Sequence, residues 1–144
     1  MNGPSPVLLV EDDANDVALT QRAFRKGGIP HPLTVVGDGE EAIAYLAGQG
    51  RYAERALPGL VLLDLKLPRK SGLEVLAWIR SQPGLRRLPV VVLTSSKESA
   101  DVNRAYDHGV NSYLVKPVDF DDLLAMVRSV SSYWLALNRG AELS

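Results

Sequence analysis

The 144-residue chain has no cysteine, which excludes disulfide scaffolds, thiolate zinc sites and thiol nucleophiles and makes a reducing compartment, by default the cytoplasm, the expected home. It has no excess of charge of one sign either: 16 Lys and Arg stand against 17 Asp and Glu, a formal net charge of -1. Without a basic field, neither nucleic acid nor an anionic membrane surface is an expected partner. Long apolar runs are missing as well. Val7 to Val10, Leu60 to Leu63 and Val90 to Leu93 fall far below the roughly 20 residues of a membrane-spanning helix. No basic patch followed by an apolar stretch opens the chain, so residues 1–6 read as a short disordered lead and not as a signal peptide. Internal repeats and low-complexity tracts are absent too, and the length suits a single domain able to bury a substantial core.

What is there is an alternation. Five short apolar segments, Val7 to Val10, Leu33 to Val36, Leu60 to Leu63, Val90 to Leu93 and Ser112 to Val115, are separated by stretches with helical spacing. Strands apolar throughout, interleaved with helices, predict a parallel sheet covered on both faces, an α/β doubly wound fold. Punctuation places five helices. The first is capped by Asp13, Asn15 and Asp16 and stopped by Gly27, Gly28 and Pro30. The second opens at Asp38-Gly39, and the third follows Gly72 and ends before Pro83. The fourth begins between Ser96 and Ser99 and closes at Gly109, and the fifth runs from Asp119 to about Leu137. Residues 47–59 form the longest irregular connection and read as a surface loop. Residues 7–137 make the domain and 138–144 a C-terminal tail, so that the seven residues after Leu137 leave no room for an output domain.

Ligands of open parallel sheets gather at the carboxyl ends of the strands, where the strand order reverses. Here the first strand ends in Glu11-Asp12-Asp13, the third in Asp64, the fourth in Thr94-Ser95-Ser96 and the fifth in Lys116-Pro117. With a strand order 2-1-3-4-5, Glu11, Asp12 and Asp64 meet, and their repulsion calls for a cation. Mg2+ suits oxygen ligands of this kind together with a phosphoryl group. Lys116 and Thr94 supply a positive charge and a hydroxyl for an anion lying opposite. The set matches phosphoryl transfer to a carboxylate nucleophile.

These residues resemble the receiver domain of two-component response regulators. The resemblance covers about residues 7 to 130. It is carried by Val10-Glu11-Asp12, by Leu62-Leu63-Asp64 with Pro68 and Gly72, by Thr94-Ser95 and by Tyr113-Leu114-Val115-Lys116-Pro117, with 52, 30 and 22 residues separating Asp12, Asp64, Thr94 and Lys116. It implies a flavodoxin-like five-stranded fold with five helices, and Asp64 as acceptor of a phosphoryl group from a sensor histidine kinase. It further implies Mg2+ held by Asp12, Asp64 and the backbone carbonyl of Lys66, with Glu11 acting through water. Thr94 and Lys116 would grip the phosphoryl oxygens, Tyr113 would turn inward as Thr94 moves, and the bond before Pro117 would be cis. The protein would then be a phosphoacceptor switch, limited as an enzyme to self-phosphorylation from small donors and self-dephosphorylation. Glu11 to Val17, Asp64 to Gly72 and Tyr133-Trp134-Leu135 are in addition similar to single-domain regulators that partner bacterial phytochromes.

Other residues carry weaker readings. Lys66 is either a solvated loop side chain or, two residues beyond the acceptor, a cation that alters the lifetime of the phosphorylated state. Asp13 and Asp16 read as helix caps, His31 and His108 as loop or helix-end residues, and Trp78 as part of the core face of the third helix. On the last helix Leu123, Val127, Val130 and Trp134 recur at helical spacing, and Met126, Val130, Tyr133 and Leu137 form a second stripe. The surplus apolar surface predicts a homodimer; the alternative is a helix extended to cover the sheet edge. Two rival functions remain. A Mg2+-dependent aspartate-nucleophile phosphohydrolase would want a second acid where Lys66 stands, and a receiver-like interaction module would act without phosphorylation.

Overall fold

The computed structural model describes residues 3–143. Its five parallel strands, β1 (Val7–Val10), β2 (Leu33–Val36), β3 (Leu60–Leu63), β4 (Val90–Thr94) and β5 (Ser112–Val115), lie in the order β2-β1-β3-β4-β5. Five helices connect or follow them: α1 (Ala14–Lys26), α2 (Gly39–Ala47), α3 (Gly72–Ser81), α4 (Ser99–Asp107) and α5 (Phe120–Ser131). This is the doubly wound α/β fold expected from the alternation, in the flavodoxin-like form that the receiver resemblance implies. None of the helices is long and apolar enough to cross a membrane.

Strands β1 and β3 are apolar at every position, and β4 up to its final Thr94, because each face of the sheet has its own core. Side chains alternate across a strand, so Leu8, Val10, Val61, Leu63, Val90 and Val92 pack with Ala42, Tyr45, Leu46, Val75, Leu76, Ile79 and Ala105 of α2, α3 and α4. Val7, Leu9, Leu60, Leu62 and Val91 pack with Ala23, Phe24, Leu123, Leu124 and Val127 of α1 and α5. Leu8 and Leu63 are fully buried, and truncating either to Ala would cost roughly 2–5 kcal/mol. Parallel register aligns Val10 with Val36 and Leu63, so the residues that follow β1 and β3 leave the sheet side by side.

Caps fix the helix starts near that edge. Asp13 accepts the amides of Asn15 and Asp16, at 2.9 and 3.0 Å. Ser71 and Glu74 form a reciprocal capping box on α3, which satisfies two otherwise orphaned donors. Gly72 is required by close approach: a Cβ there would collide with the backbone carbonyl of Asp64. The β3–α3 loop is tied in the same way to α2, since a Cβ on Gly39 would strike the backbone of Lys70.

Several elements depart from the sequence reading. Of the lead 1–6, Met1 and Asn2 lie outside the described residues, but Pro6 is buried and its carbonyl accepts the Gly59 amide at 3.0 Å, while His31 Nδ1 donates to the Ser5 carbonyl at 2.8 Å. Neighbouring backbone therefore holds the end of this segment in place. The 47–59 connection contains a 3-10 turn, Gly50–Tyr52. It is pinned by Tyr45 Oη donating to Ala56, by Arg55 donating to the carbonyls of Tyr45 and Leu46, and by an edge-on Tyr45–Tyr52 contact. The last helical run does reach Leu137, but from Ser132 it loosens into a π-helical turn, with the Asn138 amide bonded to the Tyr133 carbonyl. Of the 138–144 tail, Leu143 packs against the core on the α3 side and the Glu142 carbonyl accepts from Arg87; Ser144 lies outside the described residues.

Candidate functional site: an acidic cavity at the carboxyl edge of the sheet

The ends of β1, β3, β4 and β5 open into one cavity of about 440 Å3, lined by Glu11, Asp12, Asp13, Asp16, Asp64, Lys66, Thr94, Ser95, Ser96, Lys97, Glu98 and Lys116. Glu11 and Asp64 are buried and Asp12 is exposed, and carboxylate oxygens from all three lie within 4.8 Å of one another. Three acids this close fit a hard divalent cation, which takes carboxylate oxygens and keeps open positions for water and a phosphoryl oxygen. Lys66 borders the same cavity with an exposed side chain.

Lys116 reaches across the sheet to the acids. Its Nζ donates to Glu11 Oε1 at 2.5 Å, to Asp16 Oδ2 at 2.8 Å and to Asp64 Oδ2 at 3.1 Å, with 13% of the side chain exposed. Burial by itself would depress this ammonium, but the bonds to Asp16 and Glu11 and the charge of Asp64 outweigh it and raise the lysine above its ordinary value. Glu11 is pushed up from 4.5 to about 7, chiefly by burial and further by the charge of Asp64, against the opposing pull of Lys116 and the Asp13 amide. The remaining Asp64 oxygen, Oδ1, accepts the Leu65 amide at 2.7 Å.

On the far wall Thr94 ends β4 and is buried. Beyond it, Tyr113 Oη donates to the Ser96 carbonyl at 3.0 Å, and Ser96 Oγ donates to Asp101 Oδ2 of α4 at 2.5 Å. Asp101 also pairs with Arg104 at 2.9 Å; the Ser96 hydroxyl first and Arg104 second hold its carboxyl below the usual range. The loop after β4 is thereby linked to β5 through Tyr113 and to α4 through Asp101.

Two expectations are corrected here. All peptide bonds among the described residues are trans, the one before Pro117 included. A trans X-Pro bond is the lower-energy form by about 0.5–1 kcal/mol, and with the Lys116 amide bonded to the Thr94 carbonyl the side chain reaches Glu11, Asp16 and Asp64 from it. Asp16, read as a cap, leaves capping to Asp13 and turns its carboxylate to Lys116. It is a site residue that the sequence reading missed. Nothing local signals this role, since Asp16 lies in the first turn of α1, where an acid is stabilised in any case.

The apolar stripes of the last helix separate by burial. Leu123 and Val127 are buried, Val130 and Trp134 pack against the α1–α5 core, and Met126 is half-buried. Tyr133 and Leu137 are 51% and 74% exposed.

Comparison with known proteins agrees with this geometry. Response regulator Rcp1 of Synechocystis sp. is 46% identical over 134 residues, 93% of this chain and 91% of that protein. The crystal structure of the phosphorylated cyanobacterial phytochrome response regulator RcpA superposes with a TM-score of 0.91 at 41% identity, covering 96% of this chain and 99% of that one. The Mn2+-bound form of Rcp1 gives 0.87 at 43%, covering 96% and 99%. The family model of the response regulator receiver domain matches residues 7–128, and with the strand order and the acidic edge as described, the chain belongs to that family.

Proposed function

We propose that this receiver takes a phosphoryl group onto Asp64 from a phosphohistidine on a sensor histidine kinase and answers with a changed protein contact. The observation that carries the reading is the convergence of Asp64, Thr94 and Lys116 on one cavity in which Glu11 and Asp12 cluster with Asp64. Asp64 Oδ2, the oxygen that faces Lys116, would form the new P–O bond while the P–N bond breaks and its electron pair returns to the imidazole of the donor. Mg2+, bound by Asp12, Asp64 and the Lys66 carbonyl with Glu11 acting through water, supplies charge neutralisation on the phosphoryl oxygens. Thr94 and Lys116 bind those oxygens from the other side, and movement of Thr94 is felt at Tyr113 through the β4–α4 loop. Turnover on phosphate esters is disfavoured, because Lys66 stands where such hydrolases carry their general acid.

The likeness to RcpA, a phytochrome response regulator, favours a bacterial phytochrome as the kinase, and the absence of cysteine favours the cytoplasm as the compartment. A second copy of this chain is the partner we assign to the last helix. Met126, Val130, Trp134 and the exposed Tyr133 and Leu137 form one apolar band, which suits a symmetric dimer.

The test is intact-mass spectrometry after incubation with acetyl phosphate. One phosphoryl group is expected to add in the presence of Mg2+ and to be undetectable in EDTA or in Asp64→Asn. Labelled phosphate accumulating on that variant would overturn the assignment of the acceptor.

A further inference from the structure

Lys116 has three carboxylate partners, and they are not equivalent. Glu11 and Asp64 belong to the group of oxygens suited to a divalent ion, whereas Asp16, on the first turn of α1, stands outside it. The ammonium therefore contacts two of the three clustered acids, and a metal that binds there competes with it directly. A divalent ion weakens the hold of Glu11 and Asp64 on the lysine by taking up their charge. The bond to Asp16 Oδ2, at 2.8 Å, is the one that survives. Asp16 is 35% exposed at its side chain, and its backbone is fixed by the helix and by Thr20 Oγ1, which donates to the Asp16 carbonyl at 2.8 Å. The carboxylate thus projects from a fixed backbone at the rim of the cavity.

We propose that Asp16 is the holding carboxylate of Lys116: it keeps the ammonium beside the cavity while metal occupies Asp12 and Asp64 and draws on Glu11 through water, within reach of the phosphoryl oxygens on Asp64. Asp16 is a positioning residue and acts through Lys116. The final clause rests on the phosphoacceptor reading; the hand-over of the lysine does not.

A double-mutant cycle separates the two. Mg2+ affinity is measured by calorimetry on the full chain for the parent, Asp16→Asn, Lys116→Ala and the double variant, each first shown folded by circular dichroism. Without Asp16 the lysine stays on Glu11 and Asp64, so Asp16→Asn is expected to weaken Mg2+ about fivefold when Lys116 is present and no more than about twofold when it is absent. Equal factors in the two backgrounds would mean that Asp16 contributes only its charge, and would overturn the proposal. The rate of phosphoryl uptake from acetyl phosphate gives a second readout of opposite sign. Loss of a negative charge alone should speed the approach of a dianion, whereas loss of the tether should slow uptake several-fold; acceleration overturns the positioning role. If the parent chain takes up no phosphoryl group while the calorimetric coupling holds, the phosphoacceptor reading falls and the hand-over stands.

Discussion

The two ends of the sheet each hold a partly buried cation, by opposite means. At the carboxyl edge Lys116 sits among Glu11, Asp16 and Asp64. At the amino edge Arg80 of α3 donates to the carbonyls of Gly109, Arg86 and Leu88 and to Asn111 Oδ1, neutral oxygens throughout. Burial disfavours the charge at both. At Arg80 it prevails and lowers the guanidinium, which remains charged because its ordinary value is so high; at Lys116 the carboxylates reverse it. The difference is one of what can intervene. A planar fork on fixed carbonyls is held by geometry, and metal at the far edge has no access to it. An ammonium on carboxylates is held by charge, so any competing cation redistributes it. The first is a staple joining α3 to the starts of β4 and β5, and the second is a movable part.

If that contrast is right, the largest effect belongs to the staple. Arg80→Ala removes four hydrogen bonds and is expected to cost about 3 kcal/mol in urea unfolding, the same with Mg2+ as with EDTA. Arg80→Lys should recover less than half, because an ammonium cannot span the fork. A Mg2+-dependent loss at Arg80 would break the comparison. Lys116→Ala comes next. In EDTA it leaves buried carboxylates unpaired and should cost about 2 kcal/mol; saturating Mg2+ should return most of that, since the metal fills the same need. A deficit that Mg2+ leaves unchanged would make Lys116 a second staple.

How much of this was legible in the sequence follows the same division. Local patterns fixed the fold: β-branched strands, glycines and caps gave helix positions to within a few residues, and the strand ends named Glu11, Asp12, Asp64, Thr94 and Lys116. Asp16 was misread because a carboxylate in the first turn of a helix is stabilised there by the helix dipole in any case, so nothing local distinguishes a capping acid from one reaching a lysine 100 residues away. Arg80 was passed over because its partners are mostly backbone carbonyls, which carry no sequence signature. The loosened turn from Ser132 to Leu137 was equally hidden. Trp134 and Leu135 of this turn pack against the core, and the apolar spacing of the last helix reads the same without the wider turn.

The smallest effect is the pH response that carboxylates confer and carbonyls do not. Burial raises Glu11 to about 7 in the folded chain, against an ordinary 4.5. A carboxyl whose folded value is raised favours folding while it is protonated, so its contribution is complete below about pH 4.5 and is lost as pH rises through about 7. Metal-free protein should accordingly lose about 1 kcal/mol between roughly pH 6 and 7.5, and Glu11→Gln should lose that much less over the same interval. The difference between the two slopes isolates the contribution of Glu11. Mg2+ favours the ionised carboxyl, so its affinity should climb over the same interval, with proton release near pH 6 measurable as a buffer-dependent heat. Arg80→Ala should leave the slope of metal-free stability with pH close to the parent's, since the four oxygens that Arg80 binds are carbonyl and amide oxygens with no proton to lose. If Glu11→Gln shows the parent slope, the pH response originates elsewhere, and the acidic edge differs from the amino edge in its response to metal alone.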